Sequence, residues 1–137
     1  MSAPGEEPGR AIAPGEEFGL SITPDRYLTV RYAGASGDFN PIHIDDEFAR
    51  SVGLPGRILH GLWSMAQVAR AHTEAFGGPA ALAELSVQFR GLAVPEKEVV
   101  VRGTVTDVGE DGARTKAEAT QDGSRIVRGA RGLLRQD

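Results

Sequence analysis

Gly61-Leu62-Trp63-Ser64-Met65-Ala66-Gln67-Val68-Ala69-Arg70-Ala71-His72-Thr73-Glu74-Ala75-Phe76 is the longest helical stretch in the chain, and its reading decides the fold. Leu62, Met65, Ala66, Ala69 and Phe76 recur at helical spacing, and Trp63 and Val68 widen the apolar face. Much of this helix is therefore expected to be buried. Gly77-Gly78-Pro79 ends it. The C-terminal half of the chain reads as β-structure, roughly over 83–94, 97–108, 112–121 and 124–134. Val99, Val101 and Val105 alternate with polar positions, and Gly103 completes their face. Asp111-Gly112 is a hairpin signal, while Val94-Pro95 and Gln121-Asp122-Gly123 mark the other turns. A long sheet must bury one face, and the central helix is the obvious cover. The expected class is α+β: an antiparallel sheet wrapped around one long helix.

Upstream of the helix, Phe18, Leu20 and Ile22 alternate over Glu17–Ile22, which predicts a strand. Thr23-Pro24-Asp25 reads as a helix start, with a short helix running to about Ala33. Asp45-Asp46-Glu47 supplies a cap and first-turn acids for a second short helix that stops at Gly53.

Between these helices lies Ser36-Gly37-Asp38-Phe39-Asn40-Pro41-Ile42-His43. Asp38 and His43 are five positions apart. Along a helix that offset rotates a side chain by about 140°, and along a strand it flips the face. The two groups converge only if the chain bends. Asn40-Pro41 supplies the bend, because the residue before proline is pushed out of the α region. A bent loop carrying a carboxylate and an imidazole can work as an acid/base pair.

Composition narrows the classes. The chain has 137 residues, 40% hydrophobic and 25% charged, as expected of one globular domain. Residues 1–11 read as a flexible tail and 12–137 as the domain. The net charge of −4, the lack of a basic stripe and the 6% aromatic content all disfavour nucleic acid. There is no cysteine, which removes disulfides, thiolate metal sites and thiol nucleophiles. No apolar run approaches the roughly 20 residues that span a bilayer. The Pro-, Gly- and Glu-rich start lacks the pattern of a signal peptide, so a cytoplasmic location is expected. Three histidines with no close pair in sequence predict no zinc site, and no glycine spacing fits a nucleotide loop. No cofactor is expected.

The segment Tyr32-Ala33-Gly34-Ala35-Ser36-Gly37-Asp38-Phe39-Asn40-Pro41-Ile42-His43-Ile44-Asp45 continues through Gly53-Leu54 and Ile58-Leu59-His60-Gly61 into the central helix. Together these residues resemble the MaoC-like, or R-specific enoyl-CoA hydratase, family. The resemblance extends over roughly residues 12–134, and the compound motif is more specific than either piece. The chain is also similar to actinobacterial type II (3R)-hydroxyacyl-ACP dehydratase subunits, some of which work as heterodimers. The resemblance implies a hot-dog fold and an enzyme that reversibly hydrates trans-2-enoyl thioesters to (3R)-3-hydroxyacyl thioesters. The substrate would be borne by CoA or an acyl carrier protein. It further implies Asp38 and His43 as the catalytic pair, and the Gly61 N–H as the donor to the thioester oxygen. Asn40, Ser36 and His60 would support the loop. The chain departs from the pattern at Ala66 and Ala69, where some members carry a small hydroxyl residue. Ser64 is nearby.

Leu62, Trp63 and Met65 are candidates to line an acyl channel or to form plain core. His72 reads as a C-terminal dipole partner or a surface residue. Arg125, Arg128, Arg131 and Arg135 read as a solvated strand face, or as contacts for CoA phosphates or an acidic carrier protein. Two alternatives to the hydratase are an acyl thioesterase on the same fold and a non-catalytic subunit that binds acyl carriers or a partner. Glu74 is the sole carboxylate of the central helix, at its far end, which disfavours the thioesterase. An exposed sheet edge predicts pairing of two hot-dog subunits, as a homodimer or a heterodimer.

Overall fold

Valine alternation builds the middle of the sheet. In a computed structural model, which describes residues 11–136, Val99, Val101 and Val105 turn inward from β3 (Val99–Gly109) and are buried. Gly103 fills the inward position between them, because a Cβ there would overlap the Phe18 ring of β1 (Glu17–Ile22). The other strands are β2 (Leu82–Phe89), β4 (Gly112–Gln121) and β5 (Ser124–Leu134). All pairings are antiparallel, in the order β1-β3-β4-β5-β2. β1 and β2 are therefore the two edges. The expected tail over residues 1–11 lies, but for Ala11, outside the described residues.

The hairpin turns follow from local chemistry. Asp122 and Gly123 both have positive φ and join Gln121 to Ser124, the two-residue turn that matches strand twist. The β3–β4 turn is offset by one from the expectation: Gly109 pairs with Gly112, so Glu110 and Asp111 form the loop.

Helix α3 (Gly61–Ala75) covers the inner face of the sheet, as expected. Its orientation differs from the expected face. Trp63, Ser64, Gln67, Val68, Ala71 and His72 are buried, whereas Leu62 is 62% exposed and Ala66 is exposed. Two buried polar side chains reach carbonyls of their own helix, which permits this rotation. Gln67 Nε2 donates to Trp63 O at 3.2 Å, and His72 Nδ1 donates to Val68 O at 2.7 Å. Trp63, Val68 and Ala71 then pack with Val99, Val101 and Val127.

His72 is fully buried, contrary to the surface reading. With Nδ1 donating, its Nε2 accepts from the Thr115 hydroxyl of β4 at 2.7 Å. Burial pushes its pKa below the ordinary value of 6.5, opposed in part by the Val68 bond.

The first helix begins later than expected. The Asp25 carboxylate accepts from Tyr27 N at 2.7 Å and pairs with Arg31, so Arg26 and Tyr27 lie in a turn and α1 spans Leu28–Ser36. Arg31 and that backbone bond hold the Asp25 carboxyl below the usual range. The second helix, α2 (Asp46–Ser51), has the expected cap: the Asp45 carboxylate accepts from Phe48 N at 3.1 Å. β2 stops at Phe89, short of the expected 94. The connection after it is pinned by Gln121, whose side chain bonds both the N–H and the carbonyl of Val94 at 2.8 Å. Ala93 O in turn accepts from Leu59 N at 2.8 Å, which fixes the approach to α3. No helix among the described residues is long and apolar enough to cross a membrane.

Candidate active site

The loop after α1 is built by successive side-chain bonds two residues forward. The Ser36 hydroxyl accepts from Asp38 N at 3.2 Å, Asp38 Oδ1 accepts from Asn40 N at 3.2 Å, and Asn40 Oδ1 accepts from Ile42 N at 3.2 Å. Short polar side chains can replace backbone partners in this way, and they hold the bend that the sequence requires. Ser36 also donates to Tyr32 O at 2.7 Å, tying the loop to α1. Gly37 takes φ +80°, the left-handed conformation that lets α1 end before Asp38. Pro41 then starts a single 3₁₀ turn, Pro41–His43, which swings His43 inward.

His43 is 8% exposed, and its Nδ1 lies 2.8 Å from Ile58 O. A carbonyl only accepts, so in the neutral ring Nδ1 carries the proton and Nε2 the lone pair. That Nε2 faces Asp38 Oδ2 at 3.8 Å. The gap is too long for a direct hydrogen bond, yet both atoms can reach one water at about 2.8 Å. The Asp38 side chain is 54% exposed, so the pair is open to solvent on the carboxylate side only.

His60 is the Ncap residue of α3 and is 3% exposed. Its ring stacks on His43 at 3.9 Å and 20°, and lies 4.6 Å from the Tyr32 ring. Its Nε2 donates to the Asp38 carbonyl at 3.1 Å, while Nδ1 finds no partner among the described residues. Histidines distant in sequence are thus brought together in space: Asp38, His43 and His60 each offer a ligand atom within 4.8 Å. The stack nonetheless argues against a shared metal. Imidazole lone pairs lie in the ring plane, and two nearly parallel rings do not aim them at one point.

Gly61 is the first residue of α3 and is exposed. Its N–H has no acceptor within the helix, and the helix dipole is positive there. The nearest side chain is Phe89, with ring atoms 3.4 Å from where a Cβ would stand.

The fold thus brings Ser36, Asp38, Asn40, His43 and His60 together, with Gly61 adjoining His60. Trp63 packs in the core, whereas Leu62 is exposed. Ser64 is buried, while Ala66 points to solvent. The sequence reading missed the Tyr32 ring, the Ile58 carbonyl and Phe89. Tyr32 carried a signal, one helical turn before Ser36, whereas a backbone carbonyl carries none.

A family model described as the MaoC like domain matches residues 9–126. The chain belongs to the MaoC-like family. Among curated relatives, the enoyl-CoA hydratase ChsH3 of Mycobacterium tuberculosis is 34% identical over 98 residues, covering 68% of this chain and 32% of that one. The fatty acid synthase subunit beta of Aspergillus oryzae is 42% identical over 74 residues, covering 52% of this chain and 4% of that protein. The chain spans about a third or less of these curated relatives. The solved (R)-hydratase from A. caviae involved in PHA biosynthesis superposes with a TM-score of 0.84 at 21% identity, covering 93% of this chain and 99% of that one. That likeness establishes the hot-dog fold.

Proposed function

We propose that this MaoC-like protein reversibly adds water across the double bond of a trans-2-enoyl thioester, giving a (3R)-3-hydroxyacyl thioester. The observation that carries the reading is His43 Nε2 facing Asp38 Oδ2 at 3.8 Å, with Nδ1 held by Ile58 O. A water held between them is activated by one group and oriented by the other. His43 Nε2 takes a proton of the water as its oxygen bonds to C3. The Asp38 carboxylate relays that proton from His43 to C2, so that the H and OH of one water add across the double bond and both groups return to their starting states. The Gly61 N–H donates to the thioester oxygen as negative charge gathers there. In the reverse direction the same groups expel water.

His60 serves as a positioning residue. It donates to the Asp38 carbonyl and forms a flat wall behind His43, fixing both partners at once. Asn40 and Ser36 hold the loop through backbone bonds and touch no reacting atom.

The substrate is carried by CoA or by a carrier protein. A second hot-dog subunit, another copy or a paralogue, is proposed to pair along the β2 edge. Phe89, at the end of β2 and next to Gly61, is half exposed, as are Leu62 and Leu92, and exposed apolar side chains at a sheet edge favour a partner over solvent. The thioesterase alternative is disfavoured because Glu74 is exposed and paired with Arg70 at 2.8 Å.

Incubation with crotonyl-CoA tests the reading. Loss of the enoyl absorbance, with (3R)-3-hydroxybutyryl-CoA as product and no free thiol, is expected. Release of free CoA would replace the hydratase by the thioesterase.

A further inference from the structure

A concavity of about 810 Å³ opens on the sheet face turned away from α3, and none of the candidate site residues lines it. Its charged lining is Arg102 on β3, Lys116 and Glu118 on β4, Arg125, Arg128 and Arg131 on β5, and Glu17 on β1. Five cations thus face two carboxylates, on a chain whose net charge is −4.

Outside the concavity Arg90 and Arg135 donate to uncharged oxygens, and Arg31, Arg57, Arg70, Lys97 and Arg114 each have a carboxylate partner. In the concavity Arg125 has one, Glu118 at 3.3 Å. Arg102, Lys116, Arg128 and Arg131 have no ion pair among the described residues. The sheet register sharpens the point, because Lys116 stands directly opposite Arg131. Like charges directly opposite one another on a sheet face destabilise it. The free chain therefore carries a repulsion that an anionic partner would relieve.

We propose that this face docks an acidic α-helix of a partner protein. The cations lie on three adjacent strands, whose spacing of about 4.8 Å spreads them over roughly 10 Å, the width of a helix. Along β5, Arg125 to Arg131 covers roughly 20 Å, or about thirteen helical residues. A nucleotide fits less well. The aromatic residue among the lining is Phe18, and its ring is engaged on the other side with His72 and Phe76. Nucleic acid fits less well too, since a long polyanion would meet the net negative remainder of the chain.

The test is titration of the full chain with a fluorescein-labelled alanine–glutamate helical peptide of roughly 15 residues, read by anisotropy. Saturable binding that weakens with added salt is expected. Lys116→Glu should weaken it at least about tenfold, a change of about 1.4 kcal/mol, and Arg128→Glu likewise. Lys116→Glu also turns the pair with Arg131 into an attractive one, so its Tm should rise while crotonyl-CoA turnover stays unchanged. A gain in stability with a loss of binding is the signature of a surface kept for a partner. The proposal is overturned by absence of saturable binding, by equal binding of wild type and both variants, or by a single-stranded RNA of equal charge binding as tightly as the peptide.

Discussion

The rings of His43 and His60, seventeen positions apart in sequence, stack at 3.9 Å and 20°. The contact ties the two halves of the motif together. One half carries the acid/base loop and the other opens the central helix. Since His60 also donates to the Asp38 carbonyl, a single side chain constrains both members of the proposed pair. His60→Ala should lower kcat about tenfold, equivalent to about 1.4 kcal/mol of transition-state stabilisation, with KM little changed. His60→Gln, which keeps an N–H donor for the Asp38 carbonyl, should recover part of the loss. Steady-state kinetics of both variants on crotonyl-CoA distinguish positioning from general destabilisation, since Gln would not restore a collapsed core.

The Gly61 N–H can be deleted without disturbing the helix. Proline is well accepted at the first helical position, and His60 already has the extended conformation that a following proline demands (φ −67°, ψ 136°). Gly61→Pro should therefore fold normally and lose about 10²–10³ in kcat, the usual cost of one oxyanion donor. An unchanged kcat would move the donor elsewhere.

Gly132 is fixed by the buried His72–Thr115 contact. A Cβ at 132 would stand 2.6 Å from Thr115 Oγ1 and 2.7 Å from His72 Nε2. Gly132→Ala should cost roughly 1–3 kcal/mol by overpacking, measured as a lower urea midpoint.

His72 also sets a pH dependence. Burial lowers its folded pKa below the ordinary 6.5, so below that pH the unfolded chain binds more protons than the folded one. Stability is thus complete above about pH 6.5 and falls as the pH drops through it toward the lower folded value. Urea midpoints at about pH 7.5 and about pH 5.5 should show this loss, and His72→Gln should show less of it. Proton NMR of the His72 ring should give a midpoint below the ordinary value; a midpoint above it would contradict the assignment.

These features differ in how legible they were. The strands were plain because period-two valines and an Asp-Gly turn are local signals, and β4 and β5 fall where the pattern put them. The Asp38–His43 convergence was legible too, because Asn40-Pro41 forces a bend. The face of α3 was not. Leu62 and Met65 are more apolar than Gln67 and His72, yet the polar pair is buried because intrahelical carbonyls satisfy it. The His43–His60 stack was equally hidden, since it depends on Ile58 O and Asp38 O, backbone atoms that every residue possesses. The Lys116–Arg131 opposition needed the register of β4 on β5.

The catalytic pair is the central claim, and crotonyl-CoA kinetics of Asp38→Asn, His43→Ala and the double variant test it most directly. Each single change should lower kcat by about 10²–10⁴. The double variant should lose little more than the worse single one, because the two groups act on one water. All three should keep the wild-type circular dichroism. Either single variant retaining kcat within about twofold of wild type, a difference of under about 0.5 kcal/mol, would contradict the account.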